Sequence, residues 1–192
     1  MSKVKEKIQF GKYPIDAEGK DIEPISWIVL KKTKESMLLL SENIIDYKVF
    51  SENSNNDWEQ SDLRKWLIGE FFESAFSKEE KERMKELFLG DKVSLLEFDD
   101  NFNTSYFPTL TSLKSSYTDY ARSKTKNIYG AVNKDKFGFW WLRSANKDYP
   151  SNPHVPFDTT VYVFHICNTG RLNGYMVAKN KDGVRPIICI AS

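Results

Sequence analysis

Cysteine and histidine are scarce in this chain, which holds two of each in 192 residues. Cys167 and Cys189 have no CxxC spacing and no further cysteine near either. His154 and His165 do not stand at a zinc-helix spacing, so no metal site is expected. Both cysteines lie in apolar, strand-like segments, where a free thiol behaves as a small hydrophobe; a disulfide between them stays open as the alternative. The 9 glycines are dispersed as turn punctuators and build no phosphate-cradling loop. No nucleophile elbow surrounds a serine or cysteine, so Asp158 near His154 does not make a hydrolase triad. No cofactor is expected.

An excess of one charge is also missing. Twenty-eight basic side chains face 27 acidic ones, a net charge of +1, so no field draws in a phosphate backbone and no nucleic-acid partner is expected. The lysine clusters, as in Lys3-Val4-Lys5-Glu6-Lys7, are interleaved with glutamate and read as solvated surface. No apolar run approaches the roughly 20 residues that span a bilayer, and no apolar segment follows the charged N-terminus. As given, the chain reads as cytoplasmic without a membrane span, or as extracellular if a leader has been trimmed away.

Aromatics are plentiful: 13 Phe, 9 Tyr and 5 Trp within a hydrophobic fraction of 40%. That composition is globular, suits strands and binding surfaces, and at this length fits one domain spanning 1–192. Ile8–Tyr13 and Ile25–Leu30 flank the turn composition Asp16–Asp21 and predict a hairpin, with Met37–Leu40 as a third strand buried on both faces. Asp46–Asn56 reads as a loop. Ser61 with Leu63, Trp66 and Leu67 predicts a helix closed by Gly69. Ser77-Lys78-Glu79-Glu80 is a capping box opening a second helix, with Met84, Leu87 and Phe88 inward and Gly90 as its stop. Asp91–Leu96 reads as a return strand, 99–116 as an irregular excursion, and Thr118–Arg122 as the start of a short third helix. Beyond the loop 148–158, strands are expected over Thr160–Cys167, Leu172–Ala178 and Val184–Ile190, the last entered from a turn at Asn180–Gly183.

Two stretches dominate the C-terminal third: Trp140-Trp141-Leu142-Arg143-Ser144 and Gly183-Val184-Arg185-Pro186. Each sets an arginine in an apolar segment, and an unpaired buried guanidinium is costly, so the fold must satisfy both. Together with Ile8-Gln9-Phe10-Gly11-Lys12-Tyr13-Pro14, Pro24-Ile25-Ser26-Trp27-Ile28-Val29-Leu30, Leu38-Leu39-Leu40-Ser41 and Leu63-Arg64-Lys65-Trp66-Leu67, they resemble a bacterial domain-of-unknown-function family with a C-type-lectin-like fold, over nearly the whole chain. The Trp-Trp-Leu-Arg-Ser and Gly-Val-Arg-Pro pair is also similar to formylglycine-generating, sulfatase-modifying enzymes and to variable proteins of diversity-generating retroelements.

The resemblance implies an α+β fold: a small twisted antiparallel sheet with flanking helices and long irregular loops. It implies a scaffolding role for Trp140, Trp141, Arg143 and Arg185. Ligand contact then falls to the segment between the two stretches, at Tyr149, Asn152, His154, Phe157, Asn168, Arg171, Asn173 and Tyr175, side chains that give adaptable surfaces area and hydrogen bonds. The formylglycine activity is not expected, because Cys167 and Cys189 stand 22 positions apart on strand-like segments. A lectin-type calcium site is not expected either: Glu23-Pro24 is followed by Ile25, and Asn56-Asp57-Trp58 has the wrong order. The expected function is a non-enzymatic module binding a protein or a glycan, in a host-associated or phage-related setting. A degenerate or unrecognised formylglycine-type enzyme acting on a peptide is the alternative, and an architectural component of a larger assembly the third reading.

Overall fold

The computed structural model describes residues 6–98, 113–125, 136–145 and 161–192, and of residues 175–177 the backbone only. In chain order the strands are β1 (Lys7–Pro14), β2 (Ile22–Lys32), β3 (Ser36–Ser41), β4 (Asp46–Val49), β5 (Met84–Lys85), β6 (Val93–Ser94), β7 (Trp140–Ala145), β8 (Tyr162–Ile166), β9 (Leu172–Val177), β10 (Lys181–Val184) and β11 (Ile187–Ala191). The helices are α1 (Asp62–Trp66), α2 (Phe72–Ala75), α3 (Lys78–Arg83) and α4 (Asp119–Ser123). The fold is thus mixed α+β, mostly strands with few helices. Among the described residues no helix is long and apolar enough to cross a membrane.

The strands form two sheets where one small sheet is expected. The first runs β1-β2-β3-β11-β5, with β6 also on β11; the second runs β4-β10-β7-β8-β9. Between the named strands, among the described residues, the pairings are antiparallel except the parallel bridge from Gly183 on β10 to Trp140 on β7; outside those strands Ile44 and Tyr117 form a further parallel bridge. The C-terminal stretch serves both sheets. Instead of one strand over Val184–Ile190, β10 pairs with β4 and β11 with β3, and Arg185-Pro186 lies between them. Proline has no N–H to give a ladder, so pairing stops there and the chain changes sheet.

Side-chain alternation then builds two cores. Leu39 and Leu40 on β3 point to opposite faces, Leu39 into a cluster with Trp27, Phe50, Leu67 and Phe71, and Leu40 into one with Ile44, Leu142 and Ile166. Trp141 and Trp140 split in the same way, Trp141 to the first cluster and Trp140 to the second. Each fully buried leucine contributes about 2 kcal/mol.

The 46–56 segment is not wholly loop. Asp46 is fully buried at the start of β4, taking hydrogen bonds from Tyr13 Oη (2.7 Å), the Tyr47 N–H (2.6 Å) and Lys124 Nζ (2.6 Å). A carboxylate that reads as loop composition is instead the hub joining β1, β4 and the residue after α4.

Gly69 does not end the first helix. A π-turn over Leu67–Phe71 links α1 to α2, and the buried residues Leu63, Leu67, Phe71 and Ala75 recur every fourth position. A spacing of four drifts around a 3.6-residue helix; the wider π-turn returns the stripe to the core. A Cβ on Gly69 would meet nothing within 4 Å. Gly69→Ala is therefore expected to raise stability by about 0.5–1 kcal/mol, read as a higher urea midpoint at unchanged m.

The capping box at Ser77 forms, but α3 stops at Arg83 rather than running to Gly90. Its six residues bury nothing, so no apolar stripe carries it onward. Met84 turns extended and pairs with Ile190 on β11, while Phe88 is 41% exposed and Gly90 belongs to a separate 3-10 turn. Glu80 has two roles: Oε2 accepts from the Ser77 N–H and Oε1 from the Gly11 N–H at the β1 bulge. Of the expected return strand 91–96, only β6 pairs. Thr118 caps α4, its hydroxyl accepting from the Ala121 N–H. Residues 99–112 of the excursion 99–116, and the loop 148–158, lie outside the described residues, while Ser116 at the end of the excursion bridges to Phe137.

Candidate functional site

The Trp-Trp doublet and the Gly-Val-Arg-Pro turn meet in space. Gly183 N–H donates to Phe139 O at 3.1 Å, and the Arg185 guanidinium lies 5.0 Å from the Trp140 ring centre. Arg185 is fully buried; its Nε donates to Ser41 O (2.8 Å) and its Nη2 to Glu42 O (3.3 Å), fixing the turn after β3. Burial pulls its pKa down to about 9, which leaves it charged at neutral pH. The indoles tie in further segments, Trp140 Nε1 donating to Leu113 O (3.1 Å) and Trp141 Nε1 to Lys48 O (2.9 Å).

Arg143 stands apart from this brace. It pairs with Glu97, and its guanidinium lies 4.0 Å from the Phe88 ring centre. Both line a groove of about 540 Å³ with Asp57, Trp58, Glu59 and Phe98. Serine 144, on the same wall, accepts from the Phe98 N–H at 2.8 Å. The groove sits where β7 ends and the chain enters 146–160. Aromatic edges, carboxylates and a guanidinium on one concave surface can engage hydroxyls, amides and apolar ring faces together.

Four of the residues selected from sequence, Tyr149, Asn152, His154 and Phe157, lie outside the described residues, as does the side chain of Tyr175 on β9. Asn168 and Arg171 sit in the tight turn from β8 to β9, where Cys167 N–H donates to Arg171 O and Gly170 N–H to Cys167 O, each at 2.8 Å. Arg171 is exposed and Asn168 half-buried. Asn173 pairs with His165 across the β8/β9 ladder. This turn follows Ile166, which faces Trp140, whereas the groove lies beyond Ala145, which faces Val163. The two regions are therefore at opposite ends of β8, roughly 10–15 Å apart at the usual rise per residue.

A cluster absent from the sequence reading lies at the turn end. His165 Nδ1 is 2.7 Å from Asp182 Oδ2, with both side chains buried, and Asp182 Oδ1 accepts from the Gly183 N–H at 2.8 Å. The imidazole stacks on Phe139 at 5.4 Å and 11°. Burial draws its pKa down, but hydrogen bonds to the Asp182 carboxylate and the Cys167 thiol outweigh that and raise it to about 9. The sequence signal is the spacing His165, Cys167, which puts both on one side of a strand end; Asp182 is hidden within a turn composition.

Folding thus raises the His165 pKa above its unfolded value of about 6.5. The contribution of the His165 imidazole is complete below that pH and is lost as pH rises through about 9, while burial raises the pKa of Asp182, whose own effect falls in the acid range outside this window. Unfolding free energy is expected to fall by on the order of 3 kcal/mol from pH 6.5 to beyond 9. Urea midpoints across that window check it, and a flat profile would contradict it.

No curated protein and no solved structure matches the chain at a significant level. A family model does, over residues 34–192, from within the turn before β3 to the end of β11. By that match the chain belongs to the Domain of unknown function (DUF6273) family.

Proposed function

We propose that this chain is a non-enzymatic binding module with a C-type-lectin-like fold, recognising a glycan or a protein through the stretch between Ser144 and Gly183 together with the groove beside the start of that stretch. The observation that carries this reading is the groove at the end of β7, where that stretch begins. Its lining of Asp57, Glu59, Glu97, Arg143 and Phe88 suits a glycan, since carboxylates accept from sugar hydroxyls, the guanidinium donates to ring oxygens, and an exposed phenyl ring covers a sugar's apolar face. The buried brace of Trp140, Trp141 and Arg185 is scaffold on this reading.

A glycan array and a pull-down test it. The variants are Glu59→Gln with Phe88→Ser, both exposed in the groove, and the triple alanine variant at Tyr149, Arg171 and Tyr175. The wild type is expected to retain at least one glycan or protein. At least one of the variants is expected to weaken it tenfold or more at an unchanged melting temperature, and which variant does so tells whether Glu59 and Phe88 of the groove or the residues selected from sequence make the contact. A wild type that binds nothing, or two variants that keep every partner, would overturn the reading.

A further inference from the structure

We propose that the cleft beside the β1/β2 turn is a second recognition site, which seats one branched aliphatic side chain of a protein partner next to a lysine or arginine of the same segment. The cleft has a volume of about 80 Å³ and is walled by Tyr13, Pro14, Ile15, Pro24, Ile25 and Ile45. Its walls are held from several sides. Ile15 N–H donates to Asp21 O (3.0 Å) and Tyr120 N–H to Ile15 O (2.9 Å), while the Tyr13 hydroxyl is fixed on the buried Asp46 carboxylate at 2.7 Å. Pro14 and Pro24 have no N–H to present. The other polar side chains that line the cleft are engaged within the protein: Ser26 Oγ donates to Glu42 Oε2 (2.8 Å), Asn43 Oδ1 accepts from Ser116 Oγ (2.8 Å), and Thr118 Oγ1 accepts from the Ala121 N–H (3.1 Å). An occupant is therefore held by apolar contact in a preformed seat, the arrangement that small binding sites favour.

Size and charge narrow the occupant. A cavity of roughly 150 Å³ takes a benzene ring, so one about half as large admits an isopropyl or isobutyl group and excludes an aromatic side chain. The charged side chain lining the cleft is Glu23, and it is exposed. Around it the hairpin end from Lys12 to Glu23 carries the acids Asp16, Glu18, Asp21 and Glu23 against the bases Lys12 and Lys20. That excess favours a cation beside the seated side chain and disfavours a carboxylate. A free small molecule would fill the seat and leave its surroundings wet. Of the five large apolar side chains exposed among the described residues, Ile15 and Ile22 both belong to this hairpin end, and Ile22 faces Pro14 across the ladder. Covering them takes a ligand larger than the seat, which a chain segment supplies.

The test is a titration of the intact, nitrogen-15-labelled chain with acetyl-lysyl-leucyl-lysine amide, followed by amide chemical shifts. Saturable shifts at millimolar peptide are expected at Ile15, Ile25 and Ile45. The counterpart with phenylalanine at the centre should bind at least fivefold more weakly, and the counterpart with glutamates flanking the leucine at least threefold more weakly. Glu23→Gln changes an exposed residue and should keep the melting temperature; it is expected to weaken the lysine peptide about threefold and to narrow its advantage over the glutamate peptide. Absence of saturable shifts at the cleft, equal binding of the phenylalanine peptide, or a preference for lysine that Glu23→Gln leaves untouched would each overturn the proposal. None of the residues lining this cleft lines the groove at the end of β7, so the site of the shifts separates this proposal from the recognition reading above.

Discussion

Gly183→Ala is expected to cost about 3 kcal/mol or more and to lower the melting temperature by roughly 10 °C. A Cβ at this position would stand 2.4 Å from Phe139 O and 2.7 Å from Ile44 Cγ2. The first neighbour is backbone, so no rotamer change relieves the clash. The same carbonyl accepts the Gly183 N–H, and Gly183 facing Trp140 is the bridge by which β10 joins β7. To admit a methyl group the two strands must separate. That breaks the second sheet between β4-β10 and β7-β8-β9, and it disturbs Asp182 next door. Gly69→Ala, the same chemical change in open space, should move stability the other way. A melting temperature for Gly183→Ala within a degree or two of wild type would show that β10 and β7 are not held this closely.

Much of the first sheet is legible in the sequence because its signals are local. Ile8–Tyr13 and Ile25–Leu30 carry β-branched and aromatic residues around a turn composition, and the antiparallel pairing of β1 with β2 follows. Ser77 and Glu80 form their capping box because the bonds involved span only three residues. What is not legible depends on distant partners. Asp46 reads as the start of a loop because the Tyr13 hydroxyl and Lys124 ammonium that satisfy it come from far along the chain. The helix through Gly69 continues because Phe71 and Ala75 have a core to face, which outweighs the glycine's poor propensity. Pro186 does mark the break between β10 and β11, but not that the two pieces serve different sheets.

The candidate sites divide in the same way. Arg143 and Arg185 read alike in sequence, each alone in an apolar run. In space Arg185 is enclosed over Trp140, while Arg143 reaches Glu97 and Phe88 on the groove wall. Periodicity cannot separate them, because what differs is the neighbour brought from elsewhere. His165 and Cys167 carry a usable spacing, yet Asp182 completes the cluster only through the sheet order β10-β7-β8.

The account rests on Arg185 as the brace that joins the Trp doublet to the turn after β3. Arg185→Met keeps much of the volume and removes a buried charge, which by itself favours the variant. Against that, the Ser41 and Glu42 carbonyls lose a charged donor, and the Trp140 face loses its cation. Hydrogen bonds to a charged group contribute about 1.5–3 kcal/mol and the cation–π contact about 1 kcal/mol, so the losses prevail by about 2 kcal/mol. The direct measurement is urea unfolding of Arg185→Met beside wild type, followed by tryptophan fluorescence. The account predicts a clearly lower midpoint at unchanged slope, whereas a midpoint equal to or above that of wild type would contradict it.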